Sequence, residues 1–202
     1  MKRIEKSDLQ KLRGVASSLA SIGALIAIYL AFYLINPSFL NTFNLKNLLT
    51  NMAPLLVMAC GATYVRLLGS LDLSMGAVCS CANVLLVMLM PSVGPWAYGV
   101  AILFGVATGF ILGVIHTKLK IPSFIASLGM MNVYNSLALL LTPSPVMIAK
   151  AERTYIAWGK EKFGVVGAIT IAAVIVMIVL HLVQKRTVIG KSISLTGANE
   201  RT

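Results

Sequence analysis

Charge is scarce in this sequence. Only 11% of its 202 residues are charged and 58% are hydrophobic, whereas a soluble domain averages about a quarter charged residues. A chain so poor in charge cannot cover itself with a water-compatible surface. A soluble globular domain is therefore excluded, and lipid is the solvent for most of the surface. Cysteine is also sparse: Cys60, Cys79 and Cys81 are odd in number and lie inside apolar runs. With no His near them in sequence they read as small residues packed between helices, not as metal ligands. The two histidines, His116 and His181, fall at the ends of apolar runs and read as interfacial residues rather than ligands. No nucleophile–base pair, metal constellation or Walker-type glycine-rich loop is found. The chain is expected to be no enzyme, to hold no cofactor and not to bind ATP by that motif.

The formal net charge of +11 could point to nucleic acid. The basic residues instead fall in short clusters between apolar runs, as cytoplasmic loop anchors do. They do not form the aromatic-interleaved stripe of a single-strand binder. Nucleic acid is not expected as a partner; the lipid bilayer is.

Six apolar runs predict an all-α polytopic bundle of about six transmembrane helices. They are residues 16–35, 48–68, 75–90, 97–115, 124–141 and 164–183. A span needs roughly 20 residues at about 1.5 Å per residue. The first run exceeds the roughly 7–15-residue core of a signal peptide, and no small-x-small cleavage site follows it, so it reads as an uncleaved helix. Orientation follows from Lys and Arg. With the N-terminus inside, Lys2, Arg3, Lys6, Lys11, Arg13, Arg66, Lys118, Lys120, Lys185, Arg186, Lys191 and Arg201 are cytoplasmic. Only Lys46, Lys150, Arg153, Lys160 and Lys162 are outside. Both ends are therefore expected in the cytoplasm. The expected organisation is a cytoplasmic segment 1–15, a membrane domain 16–183 and a cytoplasmic segment 184–202. Tyr29, Tyr33, Trp96, Tyr98, Tyr155 and Trp158 then fall at the outer boundary.

Residues 69–76, Gly-Ser-Leu-Asp-Leu-Ser-Met-Gly, interrupt the apolar pattern. The run that follows is only 16 residues, about 24 Å of helix. Either that helix continues past Pro91, or it begins below the membrane surface, where broken backbone must be buried or line a water-filled path. Asp72 or Ser74 can cap it. Ser70, Asp72 and Ser74 are candidate path residues, and an ordinary cytoplasmic turn is the competing reading. Arg66 either snorkels to the headgroups or pairs with Asp72. Ala101, Gly105, Gly109 and Gly113 form a stripe of small residues at every fourth position, expected to bring two helix backbones together inside one subunit, with a subunit–subunit contact as the alternative. Asn132, Asn135 and Ser136 share one helix face at mid-span. Amides there face protein or water, not lipid, which suits either a path for a polyhydroxylated solute or interhelical hydrogen bonding. Thr142-Pro143-Ser144-Pro145 stops the fifth helix, and residues 148–158 can form a short surface helix.

Three segments resemble those of ribose-type ABC importer permeases, in the branched-chain amino acid/ribose permease superfamily. Residues 68–76, Leu-Gly-Ser-Leu-Asp-Leu-Ser-Met-Gly, are similar to that family's Gly-Gly-Ile-Asp-Leu-Ser-Val-Gly. Residues 118–129, Lys-Leu-Lys-Ile-Pro-Ser-Phe-Ile-Ala-Ser-Leu-Gly, resemble its Lys-Ile-Pro-Pro-Phe-Ile-Ala-Thr-Leu-Gly. Gly190 and Gly197-Ala198-Asn199-Glu200 resemble its Gly…Gly-Gly-Asn-Glu. The matches are in order and in register with the spans, covering residues 38–202. Ser70, Arg66 and Asn135 depart from the family pattern, which bears on the solute more than on the fold.

The resemblance implies a permease for a sugar or related small polar solute in the plasma membrane of a bacterium. Its implied partners are a second permease subunit (a homo- or heterodimer), a cytoplasmic ABC ATPase and an external solute-binding protein. It makes Gly197, Asn199 and Glu200 the start of a coupling helix that docks on the ATPase. It also implies a longer chain, so that these 202 residues read as a truncated permease that inserts in the membrane without coupling ATP hydrolysis to transport. A self-contained secondary transporter or channel is the alternative, as are ABC permeases for branched-chain amino acids or nucleosides.

Overall fold

A computed structural model of the chain describes residues 6–144, 151–160, 162–163 and 166–198. The chain divides into two compact units, Met1–Leu48 and Leu49–Thr202. The first unit holds helix α1, Lys6–Ile35, then a 3-10 turn, Pro37–Leu40, and the start of α2. Pro37 sits in the first turn, where its missing N–H costs nothing. The Asn36 side chain accepts a hydrogen bond from the Ser38 N–H at 3.0 Å. Phe39 packs on Tyr29 edge-on at 5.6 Å and stacks on Phe32 at 5.2 Å, closing the turn back on α1.

The second unit is built from α2 (Thr42–Leu67, continuing from the first), α3 (Met75–Val93), α4 (Trp96–Lys118) and α5 (Ser123–Leu141). A 3-10 segment, Ala151–Ile156, and a short α6, Ala157–Lys160, follow. Two-residue strands β1 (Lys162–Phe163) and β2 (Val166–Gly167) pair antiparallel before α7 (Ala168–Arg186) and α8 (Val188–Ala198). Among the described residues, α2, α3, α4, α5 and α7 are long and apolar enough to cross a membrane. The first expected span lies in α1, whose described apolar part covers Ile22–Ile35. The architecture is all-α and polytopic, as the apolar runs predict.

The core lies where α3, α4 and α5 meet. Ala77, Cys81, Met130, Tyr134 and Ala138 are buried there, with Phe104, Leu112 and Ile115 against them. The ring of Phe104 meets Tyr134 edge-on at 5.6 Å. In lipid no hydrophobic force drives helices together, so close packing of small residues carries the association. Ala77, Ala126, Ser127 and Ala138 supply it on α3 and α5. The opposite surfaces are apolar and exposed; on α4 these are Ile102, Leu103, Val106 and Phe110, a stripe facing lipid.

Of the two ways out for the short third run, the structure takes the first. α3 continues through Pro91 to Val93, 19 residues in all, about 28 Å of helix. Pro91 falls in the last turn, so only the final residues of the helix follow the intrahelical bond it removes. The expected surface helix is present over 151–160 as the 3-10 segment and α6; residues 148–150 lie outside the described residues. Tyr98 Oη donates to the Tyr155 carbonyl at 3.2 Å, and its ring meets Trp158 edge-on at 6.4 Å. The interfacial aromatics thus gather at the Trp96 end of α4.

Candidate translocation cleft

The interruption at residues 68–74 starts from a glycine. Gly69 has φ 77°, a left-handed conformation that favours glycine. Its N–H donates to the Arg66 carbonyl at 3.0 Å, and the Ser70 N–H to the Val65 carbonyl at 3.1 Å. This pair of bonds is the Schellman termination of α2. The chain then runs extended to α3, and three contacts fix its path. The Leu71 N–H donates to Ser123 Oγ at 3.0 Å, and Ser127 Oγ, fully buried, reaches the Leu71 and Phe124 carbonyls at 3.5 and 3.1 Å. Ser70 Oγ lies 3.4 Å from His116 Nε2, and His116 Nδ1 lies 2.9 Å from the Ile121 carbonyl oxygen. A carbonyl only accepts, so Nδ1 donates to it. The segment is thereby tied to the end of α4 and the start of α5.

Asp72 stands at the middle of this segment. Its Oδ1 accepts from the Ser74 N–H at 2.7 Å and from the Ser74 hydroxyl at 2.6 Å. The expected capping role is corrected. Ser74 is the residue at the helix cap, but its side chain makes no bond to a first-turn N–H. The nearer Asp72 carboxylate engages the hydroxyl first, charge-assisted hydrogen bonds being the stronger kind. Asp72 forms no ion pair with Arg66 or any other cation among the described residues. Arg66 is exposed at the end of α2.

Asp72 and Ser74 line a cleft of about 300 Å³. Met58 and Gly61 of α2 make one wall, Val78 and Cys79 of α3 another, and Gly105, Thr108, Gly109 and Leu112 of α4 the third. Within this chain a Cβ built at Gly105, Gly109 or Gly113 meets nothing within 4 Å, so the stripe packs on no helix of the chain itself. Gly105 and Gly109 leave room in the cleft instead. Periodicity shows that small residues share a face, not what that face meets.

The other sequence candidates lie elsewhere. Ser70 belongs to the His116 bridge rather than to the cleft lining. Asn132, Asn135 and Ser136 are exposed on α5, while Met130, Tyr134 and Ala138 of the same helix are buried in the core. Asn132 Nδ2 donates back to the Leu128 carbonyl at 3.1 Å. The structure therefore does not bring the α5 amides and Asp72 together.

Gly197 is corrected in position. It lies in the last turn of α8, not at the start of a helix, and a Cβ there would overlap the Leu67 carbonyl at the end of α2. Its lack of a side chain serves contact inside the chain. Gly190 plays the same part against the Gln184 backbone. Gln184 Nε2 also donates to the Gly190 carbonyl at 3.2 Å and to Ser194 Oγ at 2.7 Å. Asn199 and Glu200 lie outside the described residues. Sequence reasoning missed His116, Ser123 and Ser127 as anchors of the broken segment. The polar residues of the 118–129 motif were the available signal.

No solved structure matches the chain. It is 30% identical over 194 residues to a ribose import permease protein of Bacillus subtilis (strain 168), covering 93% of this chain and 59% of that protein. It is 30% identical over 184 residues to an autoinducer 2 import system permease protein of Escherichia coli (strain SMS-3-5 / SECEC), covering 88% and 53%. An L-arabinose ABC transporter permease protein of Azospirillum brasilense is 25% identical over 193 residues, covering 93% and 57%. The chain spans somewhat more than half the length of these curated relatives. The five apolar helices make it a multi-pass membrane protein, and the match of residues 44–202 to the family described as branched-chain amino acid transport system / permease component shows that the chain belongs to that family.

Proposed function

We propose that the chain belongs to the permease subunit of an ABC importer in the plasma membrane and contributes to the path for a sugar or related small polar solute. The observation that carries this is the anchored break between α2 and α3, which sets a carboxylate and a serine in the lining of a cleft among apolar helices. The names of the relatives, import permeases for ribose, autoinducer 2 and arabinose, support the importer class. Asp72 and Ser74 belong to the path on this reading, and Ser70 anchors the segment that carries them. The exposed face of Asn132, Asn135 and Ser136 is a second stretch of it, because amides at mid-span need water or protein.

The subunit is no enzyme; a cytoplasmic ATPase partner hydrolyses ATP, an external binding protein delivers the solute, and a second permease subunit completes the pore. Segments 1–15 and 184–202 flank the membrane domain on the cytoplasmic side. Asn199 and Glu200 belong to the ATPase contact on this reading. Affinity purification from native membranes tests the class. Recovery of an ATPase and a binding protein with the chain is expected, whereas solute flux by the chain alone in liposomes would establish the secondary-transporter or channel reading. Asp72→Leu in the assembled importer is expected to abolish uptake with membrane insertion retained. Normal uptake by that variant would remove Asp72 from the path.

A further inference from the structure

We propose that Asp72 makes the cleft an anion-excluding vestibule, which admits neutral polyhydroxylated or cationic solutes and rejects those bearing a carboxylate or phosphate. The inference rests on reading the cleft as part of the solute path. Asp72 is the acidic residue of the lining, and no cation joins it there. Its Oδ1 is held by Ser74, while among the described residues its Oδ2 has no hydrogen-bond partner. That second oxygen can accept from a solute hydroxyl. The rest of the wall is largely apolar, with Met58, Val78 and Leu112 suited to the C–H faces of a ring.

Four positive features oppose the field. The N-terminus of α3 carries about half a unit of positive charge, which offsets a full carboxylate only in part. Arg66, Lys118 and Lys120 are all exposed and absent from the lining, so solvent ions screen them within about 10 Å at ordinary salt. Inside a cleft with low-dielectric walls the lining charge dominates, because such walls focus its field.

The cleft carries its own reporter. Cys79 lines it and is exposed, whereas Cys81 is fully buried. The purified chain in nanodiscs is treated with a permanently cationic trimethylammonium-ethyl methanethiosulfonate or its anionic sulfonatoethyl counterpart. Modification at Cys79 is followed by fragment-ion mass spectrometry, and trypsin cleavage after Arg66 separates Cys60 from that peptide. The cation-to-anion rate ratio, referred to that of 2-mercaptoethanol, reports the local field. Any effect on the ionisation of the thiol is common to both reagents and cancels. Asp72 and Cys79 line the same cleft, and a unit charge about 10 Å away in an aqueous cleft at low ionic strength, where the screening length is about 30 Å, changes the ratio about fourfold.

The expected ratio is about fourfold above reference in the native chain, returning to reference in Asp72→Asn and restored in Asp72→Glu. The native chain alone gives a second measure. The excess is expected to vanish at 1 M salt, where the screening length is about 3 Å. A native ratio at or below reference with Cys79 reactive would overturn the exclusion and leave the path reading standing. A Cys79 inert to both reagents from either side would overturn both.

Discussion

Two glycines show how the same residue type serves two physical needs. Gly69 is required by its own backbone: its φ of 77° costs an L-residue about 1–2 kcal/mol. Gly69→Ala is therefore expected to lower the unfolding free energy in mixed micelles by that amount and to loosen the 68–74 segment. Gly197 is required by its neighbour, because a Cβ would overlap the Leu67 carbonyl. Gly197→Ala is expected to lift α8 away from the end of α2 while leaving the long helices intact. Faster hydrogen exchange confined to the amides of α8 would show it, and unchanged exchange there would refute the contact. Sequence alone suggested the special role of residue 69, since a glycine after an apolar run is a stop signal. It hid that of residue 197, where the same cue suggests a break and the chain instead forms helix. His116 was hidden for another reason. Its partner Ser70 is 46 positions away, and periodicity carries no information about such pairings.

At the level of elements, small residues in α3, α4 and α5 divide into two kinds that sequence cannot tell apart. Ala77 and Ala138 are buried where α3 and α5 pack. Ala77→Leu is expected to cost about 1–3 kcal/mol through overpacking, read as a lower midpoint of unfolding in mixed micelles. Gly109 opens on the cleft with nothing within 4 Å of a built Cβ. Gly109→Ala is expected to leave that midpoint unchanged, or to raise it slightly from the helix propensity gained, and to slow modification of Cys79 by narrowing the cleft. Equal destabilisation by the two variants would show that the α4 stripe is packed after all. Helix positions were more legible than these faces. α5 begins and ends within one residue of the expected run, because Pro122 precedes it and Pro143 follows it. α3 extends past Pro91 to Val93, one of the two alternatives that the short apolar run left open.

For the whole molecule, the direction of insertion is written along α4. Its first turn carries Trp96 and Tyr98, with Tyr155 and Trp158 against that end. Its last turn carries His116 and Lys118, next to Lys120 and the His116 bridge. Aromatic rings settle at either membrane–water boundary, so they mark an interface without choosing a side. Lys and Arg do choose, because they are retained on the cytoplasmic side. By that rule the end of α4 with Lys118 is expected on the cytoplasmic side, with the Asp72 cleft toward the cytoplasm and Ser144, beyond the opposite end of α5, outside. The same rule puts Ser38, in the turn after α1, outside, and Ser192, on α8, inside. Single cysteines at these positions, with Cys60, Cys79 and Cys81 replaced, test the arrangement in intact cells. An impermeant maleimide is expected to label the variants at positions 38 and 144 and to spare the one at 192 until the membrane is opened. Labelling at 192 alone would invert the molecule and turn the Asp72 cleft outward. The carboxylate would then meet the solute on entry rather than before its release to the cytoplasm.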